Sequence, residues 1–102
     1  METEPVADNK ERINLEQLRT EINQCDREIL ESLSKRMKLI PLVAEYKKAN
    51  NIERYQPDRE RQVVETRRKI AEETGINPDL VEKIMWLIIE DAHRIESVII
   101  GK

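Results

Sequence analysis

Residues 15–48 read LEQLRTEINQCDREILESLSKRMKLIPLVAEYKK. Leu15, Leu18, Ile22, Cys25, Ile29 and Leu33 advance by steps of three and four, the spacing that gathers side chains on one face of an α-helix. Ile40 and Val43 carry the pattern on towards Tyr46. Asn14 is the natural N-cap, with Gln17 three residues later to close a capping box. The stretch therefore predicts one helix over residues 15–48, roughly 50 Å long. A compact domain of about 100 residues has a radius of gyration of only about 13 Å. A helix this long outruns its own domain and leaves its apolar stripe in water. The simplest cover is a second copy of the chain, so the pattern predicts a homodimer with shared long helices.

Two further starts follow the same logic. Gln56-Pro57-Asp58-Arg59-Glu60 places proline at the first helical position and acids in the first turn. That helix carries Val63, Val64, Ile70 and Ala71 on its inner side and stops at Gly75, a C-cap glycine. Asn77-Pro78-Asp79 opens a third helix that runs to about Ile99 and ends near Gly101. Its centre, Ile84 to Ile89, is apolar all round and predicts enclosure on most sides. The expected fold is all-α: three helices, long–short–long, with residues 1–11 as a polar tail and 12–102 as one domain.

Composition agrees. Of the 102 residues, 38% are charged and 3% aromatic, and there are two glycines, a balance that suits long amphipathic helices rather than sandwiches or barrels. The net charge of −3 is spread over interleaved acids and bases, which sets nucleic acid aside as a partner. No run approaches the about 18 apolar residues of a membrane span, and the N-terminus lacks a signal-peptide core. A reduced, cytoplasmic setting is the expectation. One cysteine and one histidine rule out an internal disulfide and leave no metal spacing, so no metal and no cofactor are expected. Cys25 reads as a small core residue on the apolar stripe.

The chemistry is concentrated in Arg36-Met37-Lys38-Leu39-Ile40-Pro41-Leu42-Val43-Ala44-Glu45-Tyr46-Lys47. Arg36 and Lys47 stand eleven residues apart, three helical turns plus about 20°, and so share a face. On an ideal helix their Cα atoms are roughly 16 Å apart. Their long side chains can lean together over Ile40 and Val43, an arrangement that suits a small molecule with two anionic groups. Arg59, one turn before Val63, adds a third cation, and Arg19, beside Leu18 and Ile22, a fourth that reaches a partner's site in an antiparallel dimer. Any one of these cations alone reads more simply as a side chain snorkelling to water. Four together on inner faces demand negative partners, because buried unpaired charge is costly. Glycine-rich phosphate loops and nucleophilic triads are absent from the sequence, and His93 reads more simply as surface or core packing than as part of a pocket wall.

With these residues in hand, the sequence resembles the all-helical class of chorismate mutases. The resemblance runs from about Leu18 to Glu96. It rests on Leu18-Arg19 followed by Ile22 and Asp26, on Lys35-Arg36-Met37, on Lys47, on Pro57-Asp58-Arg59-Glu60-Arg61 and on Ile88-Ile89-Glu90-Asp91. It implies an intertwined homodimer and the Claisen rearrangement of chorismate to prephenate, a step of aromatic amino acid biosynthesis. Such a unimolecular reaction needs no nucleophile and no proton transfer; it needs a dianion held in a compact conformation and charge stabilised at the breaking ether oxygen.

Residue by residue, the resemblance assigns Arg36 and the partner copy's equivalent of Arg19 to the carboxylates. Lys47 takes a carboxylate and the ether oxygen, Arg59 positions substrate, and Glu60 accepts from the ring hydroxyl. Three positions depart from the commonest bacterial pattern. Gln56 replaces an aspartate at the ring hydroxyl, Ala92 replaces a serine that donates to a carboxylate, and Glu96 replaces a glutamine that donates to the ether oxygen. An ionised carboxylate at position 96 has no proton to give, so the resemblance implies that Glu96 assists only when protonated. Glu96 as a solvated helix-end acid is the plainer alternative. Gln56 keeps isochorismate–pyruvate lyase and aminodeoxychorismate mutase in view, and a non-catalytic helical dimer that retained the fold is the reading of another class.

Overall fold

The structure, a computed structural model, describes residues 14–102. The tail assigned to residues 1–11 lies outside the described residues. Three helices follow one another: α1, Leu15–Ala49; α2, Pro57–Thr74; and α3, Pro78–Ile100. Among the described residues there is no strand. The long–short–long, all-α expectation is met.

The helix ends form where local chemistry dictates. Asn14 Oδ1 accepts from the Gln17 backbone N–H at 2.8 Å, and Gln17 Oε1 accepts from the Asn14 N–H at 3.4 Å, so the capping box is closed. Pro57 and Pro78 each occupy the first turn of their helix, where a missing N–H costs nothing. Asn77 caps α3 through its side chain, which accepts from the Asp79 N–H at 2.9 Å. Gly75 and Gly101 close α2 and α3 in the left-handed conformation, with φ of 82° and 85°. Helix α1 continues through Pro41, whose ring nitrogen cannot donate to the Met37 carbonyl.

The chain forms two compact units, one up to Arg36 and one from Met37 to Lys102. The first unit is the N-terminal part of α1. Its stripe residues Leu15, Leu18, Ile22 and Ile29 are exposed, as expected of a long helix without a second chain along it. Cys25, expected as a small core residue on the same stripe, is exposed as well in the single chain. Among the described residues nothing buries it, and a core position there depends on the second copy that the stripe predicts.

The second unit contains the packed core. Val63 and Val64 of α2 meet Met85 and Ile89 of α3, with Val81 and Ile88 packed against them. Each such side chain contributes about 1.5–3 kcal/mol on burial. Arg68 clasps the same pair of helices from outside, donating to Asp79 at 3.0 Å and Glu82 at 2.8 Å. Two expectations need correction here. Ile70 is exposed on α2, since the inner face carries Val63, Val64 and Ala71 instead. The apolar centre of α3 is enclosed on one side only: Met85 and Ile89 are buried, whereas Ile84, Trp86 and Leu87 are exposed. Helix α2 covers a single face of α3, and a helix apolar all round needs further neighbours.

Candidate active site

Lys47 lies in the last turn of α1, where cations are favoured by the helix dipole. Its Nζ donates to Glu96 Oε1 of α3 at 2.9 Å and to the Arg54 carbonyl at 2.9 Å. The two side chains keep only 14% and 8% of their accessible surface. Glu96 is thus no solvated helix-end acid. A buried carboxylate is tolerated here because a cation meets it directly. The same lysine lines a cleft of about 410 Å³ with Val43, Tyr46, Ile52 and Gln56. Lys47, its apolar floor at Val43 and the departure at Gln56 therefore share one concave surface. Ala92 is buried one helical turn before Glu96 and carries no donor.

A second polar cluster stands on the same unit. His93 Nε2 meets Glu60 Oε2 at 2.5 Å, and its Nδ1 meets Arg54 Nη1 at 2.7 Å. The Tyr55 ring sits over the imidazole, tilted by 56° with centroids 5.9 Å apart. Sequence reading assigned His93 to packing and did not single out Arg54 at all. Instead His93 is half-buried and engaged at both nitrogens. The one available signal was the register of His93 with Ala92 and Glu96 on α3; nothing local marks a loop arginine as its partner.

The remaining expected residues are placed as follows. Arg59 is exposed at the start of α2, where its Nη1 donates to Gln62 Oε1 at 2.8 Å. Gln56 is exposed and occupies the N-cap position without a side-chain capping bond. Arg19 and Arg36 belong to the other compact unit. Arg19 lies 3.5 Å from Glu16 in its own helix, and Arg36 is half-buried. Among the described residues no group of His, Cys, Asp and Glu is arranged to hold a metal ion, and no helix is long and apolar enough to cross a membrane.

The hydrogen bond to Asp79 holds the Arg68 guanidinium above its ordinary value, and the hydrogen bond from Arg94 holds the Asp91 carboxyl below the usual range. Arg94 is raised in return by Asp91. These are exposed pairs on the helix surface, and their contribution is small.

Fold and site together define a class: an all-α, three-helix protein whose first and third helices are joined by a buried lysine–glutamate pair beside an apolar cleft. The chain belongs to the chorismate mutase type II family, whose sequence model matches residues 18–97. It is 34% identical over 80 residues to the T-protein of Enterobacter agglomerans, covering 78% of this chain and 21% of that protein. With the T-protein of Haemophilus influenzae the identity is 32% over 83 residues, 81% of this chain and 22% of the relative. The bifunctional chorismate mutase/prephenate dehydratase of Buchnera aphidicola is 30% identical over 84 residues, covering 82% of this chain and 22% of that protein. The chain spans about a fifth of the length of these curated relatives.

Proposed function

We propose that the chain is a chorismate mutase, an isomerase that converts chorismate to prephenate without cofactor or metal. In this rearrangement the ether C–O bond breaks as a new C–C bond forms within one molecule. Protein side chains contribute by holding the dianion folded and by stabilising charge on the ether oxygen. Lys47 supplies that charge and a carboxylate contact. Arg36, and Arg19 from a second copy of the chain in a homodimer, hold carboxylates. Arg59 positions the substrate, Glu60 and Gln56 address the ring hydroxyl, and Glu96 and Ala92 line the reacting end. The reading assigns the reaction to aromatic amino acid biosynthesis in the cytoplasm, a setting compatible with a free cysteine.

The observation that carries the reading is the placement of Lys47, nearly buried, partnered by Glu96 and lining the cleft with Val43 and Gln56. Family membership and the similarity to the bifunctional chorismate mutase/prephenate dehydratase of Buchnera aphidicola support the substrate. Gln56 favours a second reading on the same scaffold. A neutral amide at the lip of the cleft discriminates less sharply at the ring carbon, so isochorismate and aminodeoxychorismate are the alternative substrates. A non-catalytic helical dimer remains the contrast outside catalysis.

Incubating the protein separately with chorismate, isochorismate and aminodeoxychorismate, and identifying each product, tests all three. Prephenate from chorismate at the highest kcat/KM supports the proposal. Pyruvate released from isochorismate, or rearrangement of aminodeoxychorismate alone, moves the assignment to the corresponding enzyme. Turnover of none of them leaves the non-catalytic reading.

A further inference from the structure

Arginine has no acceptor and keeps all its protons, so a nitrogen that meets a guanidinium N–H at hydrogen-bond distance must offer a lone pair. His93 Nδ1 lies 2.7 Å from Arg54 Nη1, which makes Nδ1 the acceptor. The proton of the neutral ring then resides on Nε2, and Nε2 faces Glu60 Oε2 at 2.5 Å. Arg54 is itself held in place. Its Nε donates to the Lys102 carbonyl at 3.2 Å, and its own carbonyl accepts from Lys47 at 2.9 Å. The His93 and Glu60 side chains keep 20% and 15% of their surface, so solvent competes weakly for these bonds.

We infer that Arg54 and His93 are positioning residues for Glu60. Arg54 locks the His93 imidazole in the neutral Nε2–H tautomer, and that N–H fixes the Glu60 carboxylate as an acceptor with Oε2 engaged and Oε1 presented to a hydroxyl of the ligand. The inference rests on the proposed function, which assigns the substrate ring hydroxyl to Glu60, and it makes the loop between α1 and α2 part of the specificity apparatus. Around the imidazole the charged groups are Glu60 from α2 and Arg54 from the loop, with the Tyr55 hydroxyl-bearing ring beside it; Glu90 and Lys83 of α3 line the same groove.

The chain has a single histidine, so its ring nitrogens can be followed without assignment ambiguity in the 15N-labelled chain. At about pH 8, where a free imidazole is neutral, the expected spectrum is the Nε2–H tautomer. Arg54→Met, which leaves the backbone carbonyl for Lys47 intact, is expected to release the lock and give mixed tautomers. In kinetics with chorismate, His93→Leu removes the donor and is expected to lower kcat/KM about tenfold or more through KM, since the ring hydroxyl contact is common to ground and transition states. His93→Gln keeps an N–H near the Nε2 position and is expected to restore most of the loss. A purely structural role would lower the active fraction, and hence kcat, with KM unchanged.

A wild-type Nδ1–H tautomer, a doubly protonated ring, or an unchanged KM in a folded His93→Leu variant overturns the inference. Failure of the wild type to turn over chorismate is a different result. It removes the functional reading and with it the role at the ring hydroxyl, while the tautomer still decides whether the Arg54–His93–Glu60 relay exists.

Discussion

Lys47 Nζ sits 2.9 Å from Glu96 Oε1, with both side chains largely removed from water. The same amine meets the Arg54 carbonyl at 2.9 Å. The cation that the proposed function assigns to the ether oxygen is therefore already engaged by a carboxylate. Two consequences follow for substitution at each end of the pair.

At the acidic end, an ionised Glu96 gives no proton to the ether oxygen and competes for Lys47. Glu96→Gln supplies an N–H towards the ether oxygen and is expected to raise kcat/KM at neutral pH, measured side by side with the wild type. An unchanged or lower kcat/KM would refute it. Because glutamine still accepts from Lys47, the stability loss should stay near 1–3 kcal/mol, roughly one charge-assisted hydrogen bond, measured by urea unfolding.

At the basic end, Lys47→Ala removes the cation that the proposed function sets at the reacting centre and leaves Glu96 buried without it. The expected loss is several kcal/mol in transition-state stabilisation, on the order of a thousandfold in kcat/KM. Arg36→Ala is expected to fall in the same range. A non-catalytic scaffold would show altered stability and nothing else, so activity and unfolding must be measured on the same preparations.

The exposed stripe of α1 predicts association. Leu18, Ile22 and Ile29 present 43%, 58% and 63% of their surface in a single chain. A homodimer covering them would sediment at twice the chain mass of 12.1 kDa and unfold at a temperature that rises with protein concentration. Ile22→Glu is expected to shift the sedimentation profile towards monomer. Wild-type protein that stays monomeric at all concentrations would remove Arg19 from any shared site.

Core and cap predictions concern stability alone. Ile89 packs with Val63, Val64 and Met85, so Ile89→Ala is expected to cost about 2–5 kcal/mol and Ile89→Val about 1 kcal/mol. At Gly75, φ is 82° and an added Cβ meets nothing within 4 Å. Gly75→Ala should therefore cost about 1–2 kcal/mol through backbone strain and not through a clash. Chemical denaturation of the three variants separates the two mechanisms.

The expectations that held were those whose physics is local. Asn14 with Gln17, Pro57 and Pro78 in first turns, and Gly75 and Gly101 beyond last turns set the helix boundaries within a residue or two, because capping groups act over three or four positions. Register likewise placed Val63, Val64 and Ala71 on the inner side of α2, where they are buried. Where burial depends on what covers a face, register was insufficient. Cys25, Ile70 and Leu87 all have apolar spacing, yet all are exposed.

Helical spacing marked Lys47 and the family resemblance marked Glu96, but the direct contact is a product of the fold: 49 residues separate the two, and their side chains meet at 2.9 Å. Arg54 lies in a loop without periodicity, so no sequence pattern points from it to His93, 39 residues away. Local capping and periodicity, written in neighbouring residues, determined the three helices. Tertiary packing decided which charges face each other and which groups meet the two histidine nitrogens, because both depend on contacts between segments far apart in the chain.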